Sequence, residues 1–151
     1  MKIPVKFLST AEEVICFSLI VLFVYASVSK ILDYENFRTE LGQSPVLSTY
    51  AIVVAPVVLA LELLTALFLS LRQTRKWALL SSFMLMVMFT CYIVIILNFS
   101  DNIPCSCGGV LQRLGWHDHI IFNIVFVFLS AAGYYLTRYK ENLDSTKTIL
   151  L

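Results

Sequence analysis

The sequence predicts an all-α integral membrane protein, a bundle of four antiparallel transmembrane helices. Of its 151 residues, 59% are hydrophobic and 14% are charged, whereas soluble domains average about 45–50% and about 25%. Four apolar runs each come close to the roughly 20 residues that a helix needs to cross a bilayer. Lipid offers the backbone no hydrogen-bond partners, and these runs lack the period-2 alternation of barrel strands, so helices are expected.

The first predicted span covers residues 14–32, and the acids Glu12 and Glu13 lie in its amino-terminal flank. Acidic residues fit the basic flank of a secretory signal peptide badly, so we expect this helix to be retained as a span. The other spans are expected at residues 50–71, 77–97 and 119–137. Short connections make successive spans antiparallel neighbours, and residues 1–151 are predicted to form a single membrane domain.

The connections between the spans differ in character. Residues 33–48 are polar and mixed in charge, and Gly42 and Pro45 interrupt them, which is typical of a loop. Residues 98–118 form a second polar connection, and this one contains Cys105 and Cys107.

The basic residues predict the orientation of the bundle. Most lysines and arginines lie in the amino-terminal flank, at residues 72–76 and in the carboxyl-terminal tail. Cytoplasmic connections are enriched in such residues, so both termini are predicted to be cytoplasmic and the 98–118 loop to lie outside. The formal net charge is +1 and no basic run is interleaved with aromatic residues, so nucleic acid is not an expected partner.

Cys105 and Cys107 are separated by one residue, and Gly108 and Gly109 follow them. A disulfide across one residue closes a small, strained ring, and strained disulfides are the more easily reduced ones. The pair therefore suggests a redox-active dithiol. A static disulfide that clamps the loop is the first alternative. A metal site completed by His117 and His119 is the second, although the spacing matches no common zinc pattern.

His119 and Asn123 lie four residues apart at the start of the fourth span, so they share one helix face. An Asn about one turn inside the membrane is expected to face the bundle, because lipid would leave its amide unsatisfied. A histidine near a thiol can lower the pKa of the thiol or carry a proton. The alternative for both histidines is an interfacial position beside Trp116, and we favour it for His117.

Glu62 lies about twelve residues into a helix that descends from the outside, which is about 18 Å at about 1.5 Å per residue. An intramembrane acid is a candidate functional group, and Lys30, Tyr25 or Thr65 are its candidate partners. Lys30 is expected much nearer the outer surface, so contact with Glu62 requires the reach of the side chains or a bridging water. The alternative role is a polar clamp between helices.

The two remaining cysteines, Cys16 and Cys91, lie inside apolar runs. Cys16 is near the cytoplasmic end of the first span, whereas Cys91 is about 20 Å from that side by the helical rise. Bonded cysteines need Cα atoms within about 7 Å, so these two are not expected to pair. Both are interpreted as small packing residues.

At these residues the chain resembles the MauE branch of the MauE/DoxX-like four-helix membrane proteins, and the likeness extends over nearly the whole chain. Its Cys-x-Cys segment is the specific part, although Gly108 stands where many relatives have an aromatic residue. The segments that carry the likeness are Ser29–Asp33 with Phe37, Pro56 with Glu62–Leu64, Cys105–Gly108, Gly115–Trp116 and Asn123.

The resemblance implies a redox-associated protein of the bacterial inner membrane, with the Cys-x-Cys loop facing the periplasm. MauE is associated with the maturation of methylamine dehydrogenase, whose small subunit needs many disulfides, and DoxX-type relatives are associated with quinone-linked sulfur oxidation. A quinone is therefore the candidate cofactor, and Glu62 and Lys30 are its candidate binding residues. Disulfide generators of the DsbB and VKOR type use two exported dithiol pairs. This chain has one, so a thioredoxin-fold or other thiol partner is expected.

The first hypothesis is thus thiol–disulfide exchange with an exported partner. Its candidate catalytic residues are Cys105, Cys107, His119 and Asn123. The second is a non-catalytic subunit or assembly factor of a membrane complex, with a structural disulfide. The third is a metal-handling membrane protein.

Overall fold

The computed structural model describes residues 5–43, 48–99 and 116–149. These residues form α1 (Val5–Leu32), α2 (Tyr34–Gln43), α3 (Ala51–Ser70), α4 (Arg75–Phe99) and α5 (Trp116–Ile149). A short 3-10 turn, Ser48–Tyr50, leads into α3. The described residues contain no β-strand, which confirms the all-α prediction.

Four helices are long and apolar enough to cross a membrane, and they account for all four predicted spans. The candidate spans are Phe7–Leu32, Ser48–Ser70, Arg75–Asn98 and His117–Leu143, whose most apolar windows have mean hydropathies of 1.9 to 2.6. The length and composition of these helices make the chain a multi-pass membrane protein. Helices α1 and α5 continue beyond the predicted spans, since the backbone hydrogen bonds of a helix persist outside the hydrocarbon layer.

Three ion pairs bring the start of α1, the α3–α4 turn and the end of α5 to one end of the bundle. They are Glu12–Lys140 at 2.6 Å, Lys76–Glu141 at 2.6 Å and Glu13–Arg72 at 3.0 Å. The end of α1, the start of α3, the end of α4 and the start of α5 therefore lie at the opposite end. Helix α1 packs against α3 and α5, and α4 packs against the same two helices, so every neighbour in this ring is antiparallel.

The main core lies where α1, α3 and α4 meet, with α5 packed against it. It contains Cys16, Leu19 and Phe23 of α1, Ala66 and Leu69 of α3, and Ala78, Leu79, Leu85 and Met86 of α4. Helix α5 approaches α1 and α4 closely at Gly133. A Cβ added there would lie 2.9 Å from Leu79 Cδ2 and 3.0 Å from Ile15 Cγ2. A larger residue at this position would have to displace these side chains, so the contact favours glycine.

Helix α2 differs from the expectation of a loop at residues 33–48. It begins after Asp33, whose carboxylate accepts a 2.7 Å hydrogen bond from Asn36 Nδ2 and whose carbonyl accepts one from the backbone of Phe37. Phe37 and Leu41 are one turn apart, and both are buried against α3. The loop was predicted because the segment is polar overall, although Phe37 and Leu41 form a short apolar stripe within it. The helix covers the end of the bundle at which α5 begins.

Candidate functional site

A cavity of about 480 Å³ lies inside the bundle, and all five helices contribute to its wall. It is at the end of the bundle where α1 and α4 finish and α5 begins. Its lining is mostly aliphatic, aromatic and methionine side chains. The polar residues in the wall include Lys30, Glu62, His119 and Asn123. The sequence analysis paired Lys30 with Glu62 and His119 with Asn123, and the structure places both pairs around one space.

Glu62 is completely buried, and its two carboxylate oxygens have different partners on α1. The ammonium of Lys30 donates to Oε1 at 2.6 Å, and the hydroxyl of Ser27 donates to Oε2 at 2.9 Å. Ser27 and Lys30 are three residues apart, so one face of α1 presents both donors to α3. A lysine side chain is long enough to make this contact directly, without a bridging water. Thr65, an expected partner of Glu62, instead shares a hydrogen bond with Ser81.

Two aromatic rings surround the buried ammonium of Lys30. Its Nζ lies 5.5 Å from the ring centroid of Phe89 on α4 and 5.8 Å from that of Phe37 on α2. Both distances are within the roughly 6 Å over which a cation is attracted to a ring face. The lysine thus links α1 to α2, α3 and α4. This arrangement makes the Lys30–Glu62 pair a clamp between helices as well as part of the cavity wall.

His119 and Asn123 bring polar atoms to the cavity from the first turns of α5. Both are nearly inaccessible, with 6% and 5% of their surface exposed, and both line the cavity. The expectation that Asn123 faces the bundle is therefore confirmed. Within the described part of the chain, neither side chain forms a hydrogen bond with another residue. Both side chains line the cavity, so they can donate hydrogen bonds to a polar occupant.

The other histidine and the two span cysteines have separate environments. The His117 side chain is 89% exposed, which agrees with the interfacial interpretation. Cys16 is buried in the main core, as expected, and does not pair with Cys91. Cys91 was expected to be a packing residue, but it is exposed and contributes to the cavity wall.

Cys105 and Cys107 lie outside the described residues. Chain connectivity alone relates them to the site, because residues 100–115 join the end of α4 to the start of α5. In the described ranges, no group of three His, Cys, Asp or Glu side chains is arranged to hold a metal ion.

The sequence interpretation missed Ser27, Phe37 and Phe89 as parts of the site. The sequence offers one signal for Ser27, which lies three residues before Lys30 and so shares its helix face. Phe37 is among the residues that carry the resemblance, but nothing in the sequence assigns it or Phe89 to the site. Phe residues are common in this chain, and only the tertiary arrangement puts these two beside the ammonium.

Comparison with known proteins agrees with the resemblance noted in the sequence. The family model described as methylamine utilisation protein MauE matches residues 8–136, from α1 into α5. No curated protein and no solved structure matches the chain. The matched region includes Cys105 and Cys107 as well as the four polar residues of the cavity wall. Because the match covers most of its length, the chain belongs to the MauE family.

Proposed function

We propose that this protein exchanges thiols and disulfides with an exported partner, through Cys105 and Cys107, at the outer face of the bacterial inner membrane. The observation that carries the proposal is the position of the cavity. It lies at the end of the bundle where α4 finishes and α5 begins, and residues 100–115, which connect those helix ends, include both cysteines. The family description adds a biological setting, since it names methylamine utilisation. Maturation of an exported protein used in that process is the proposed role.

The orientation follows from the ion-paired end of the bundle. Arg72, Lys76 and Lys140 lie there together. Basic residues concentrate on the cytoplasmic side of membrane proteins, so this end is proposed to be cytoplasmic. The opposite end, with the cavity and the Cys-x-Cys connection, then faces the periplasm, where disulfides can persist.

The exchange conserves electrons and atoms in two steps. A thiolate of the partner attacks one sulfur of the Cys105–Cys107 disulfide, the sulfur–sulfur bond breaks, and a mixed disulfide forms. A second thiolate of the partner then attacks the mixed disulfide and releases the Cys105–Cys107 dithiol. The partner has lost two electrons and two protons, which this protein has gained. A thioredoxin-fold protein suits this role because it presents two neighbouring thiols.

The experiment is acid-quenched thiol alkylation in intact cells, with the redox state of Cys105 and Cys107 followed during brief reduction and reoxidation. We expect the pair to cycle within minutes. In the Cys107→Ser variant, the Cys105 thiolate should attack the disulfide of the oxidised partner, which is the reverse of the second step. The mixed disulfide should accumulate, because no Cys107 thiolate is present to displace the partner. The matched control is Cys16→Ser, which alters a thiol buried in the core and should leave cycling unchanged.

Two other results would contradict the proposal. A pair that remains oxidised and forms no adduct in Cys107→Ser identifies a structural clamp in a non-catalytic subunit. Loss of a copurifying metal in Cys105→Ser, without any adduct, identifies a metal-handling protein.

A further inference from the structure

The cavity wall contains hydrogen-bonding side chains that no described residue of the chain pairs with. His119 and Asn123 are each more than nine-tenths buried and face into it, without a hydrogen bond to any residue in the described ranges. The rest of the wall is almost entirely apolar. Such a combination, an apolar chamber with a few convergent polar groups, is typical of a small-molecule site.

The charges of the wall restrict the occupant to a neutral molecule. Lys30 is the cation of the site, and Glu62 already neutralises it at 2.6 Å. An anionic headgroup would meet the buried carboxylate of Glu62, and a cation would meet the ammonium of Lys30. The unused groups, an imidazole and a carboxamide, can each donate a hydrogen bond to a carbonyl oxygen.

We propose that the cavity binds a lipid-soluble quinone, with one ring carbonyl at His119 and Asn123 and the ring among the aromatic and methionine side chains. A quinone has the apolar body and the neutral carbonyl oxygens that the wall requires. A lipid acyl chain satisfies the apolar wall but leaves both polar side chains without partners. The volume of about 480 Å³ accommodates a substituted ring and the first part of its tail.

The redox role of this quinone rests on the function proposed above. After the partner has been oxidised, the Cys105–Cys107 dithiol must lose two electrons and two protons before the next cycle. A quinone accepts both to become a hydroquinone, while the sulfur–sulfur bond re-forms. The other cysteines do not supply a second dithiol, because Cys16 is in the core and Cys91 is in the cavity wall. An acceptor from outside the chain is therefore required.

The binding experiment uses the Cys105→Ser/Cys107→Ser double variant in phosphatidylethanolamine–phosphatidylglycerol nanodiscs, so that it does not depend on thiol chemistry. An azido derivative of decylubiquinone is photo-crosslinked, and the labelled peptides are identified by mass spectrometry. We expect labelling of the α4 and α5 segments that line the cavity. Decylubiquinone at about ten times its dissociation constant should reduce labelling about tenfold, whereas 1-decanol, which has the chain without the ring, should not compete.

Side-chain variants of the double mutant test the position of the ring. His119→Leu and Asn123→Leu should each weaken competition by decylubiquinone roughly tenfold, as expected for one lost hydrogen bond. His117→Leu is the matched control, because the same change is made two residues away on an exposed side chain, and it should have no effect. Equal competition by decanol would overturn the proposal in favour of a lipid tail. Labelling outside the cavity, or unchanged competition in both cavity variants, would also overturn it.

The two proposals can fail separately. Specific labelling in the double variant, together with cysteines that never cycle in the wild type, leaves the quinone site standing and refutes thiol exchange. Cysteines that cycle while labelling is absent refute the quinone site and leave thiol exchange with another oxidant.

Discussion

Breaking the Lys30–Glu62 ion pair from one side is expected to destabilise the bundle strongly. The change Glu62→Gln preserves the shape of the side chain and an oxygen that can accept from Ser27. It leaves the ammonium of Lys30 buried without the carboxylate that lies 2.6 Å away. Removing one partner of a buried pair costs about 3–5 kcal/mol, because the remaining charge is uncompensated. We expect a loss of that size in the free energy of unfolding.

The double variant Lys30→Met/Glu62→Leu should recover most of this loss. Replacing both members of a buried ion pair by apolar residues of similar volume is often neutral, or stabilising by about 1–4 kcal/mol. The hydroxyl of Ser27 loses its acceptor in this variant, so full recovery is not expected. The single changes Lys30→Met and Glu62→Leu form a thermodynamic cycle with this double change. The coupling energy between Lys30 and Glu62 should be at least about 2 kcal/mol.

Unfolding in sodium dodecyl sulfate, followed by circular dichroism in mixed micelles, measures these free energies. Glu35→Gln is the matched control, because Glu35 and Arg38 form an exposed pair at 3.8 Å. Exposed pairs contribute about 0–1 kcal/mol. The clamp would be refuted if the single variants lost as little stability as the control. It would also be refuted if the effects of Lys30→Met and Glu62→Leu added to that of the double variant within about 0.5 kcal/mol.

Two further predictions concern helix packing and the ion-paired end. Gly133→Val should lower the free energy of unfolding by about 1–3 kcal/mol through overpacking. In the same assay Gly42→Ala should have little effect, because the added Cβ would lie 3.9 Å from Ala51 Cβ, an ordinary contact distance. Lys140→Met should lower the thermal unfolding midpoint clearly, because the carboxylate of Glu12 is buried; Arg72→Met removes an exposed pair and should barely change it. Equal losses for Gly133→Val and Gly42→Ala would contradict the close packing at Gly133. Equal losses for Lys140→Met and Arg72→Met would contradict the buried ion pair of Glu12.

The four spans were predictable from composition because lipid imposes one requirement on every spanning segment. Apolar length identifies them without reference to packing. The short helix α2 escaped this criterion, since its helical form depends on burying Phe37 and Leu41 against α3. A loop and a half-buried helix of ten residues have similar compositions, and only the tertiary contact distinguishes them.

The site was predictable residue by residue but not as a unit. Glu62, Lys30, His119 and Asn123 were each conspicuous as polar groups in or beside apolar runs. Counting the helical rise put Lys30 and Glu62 at different depths, so the sequence left open whether side-chain reach or a bridging water joins them. Helical counting gives the position of each Cα along its own axis, but the rotation and tilt that bring side chains together are properties of the packed bundle.

The same physics explains why these polar residues converge. A polar group that faces lipid has no partner, so each span must rotate its few polar side chains towards the bundle interior. Once Ser27 and Lys30 satisfy Glu62, the helices α1 and α3 are held together, and α5 contributes the remaining polar groups. His119 and Asn123 receive no such partner within the described bundle, although the same force buried them. Their burial without a partner among the described residues distinguishes them from the structural clamp that Lys30 and Glu62 form.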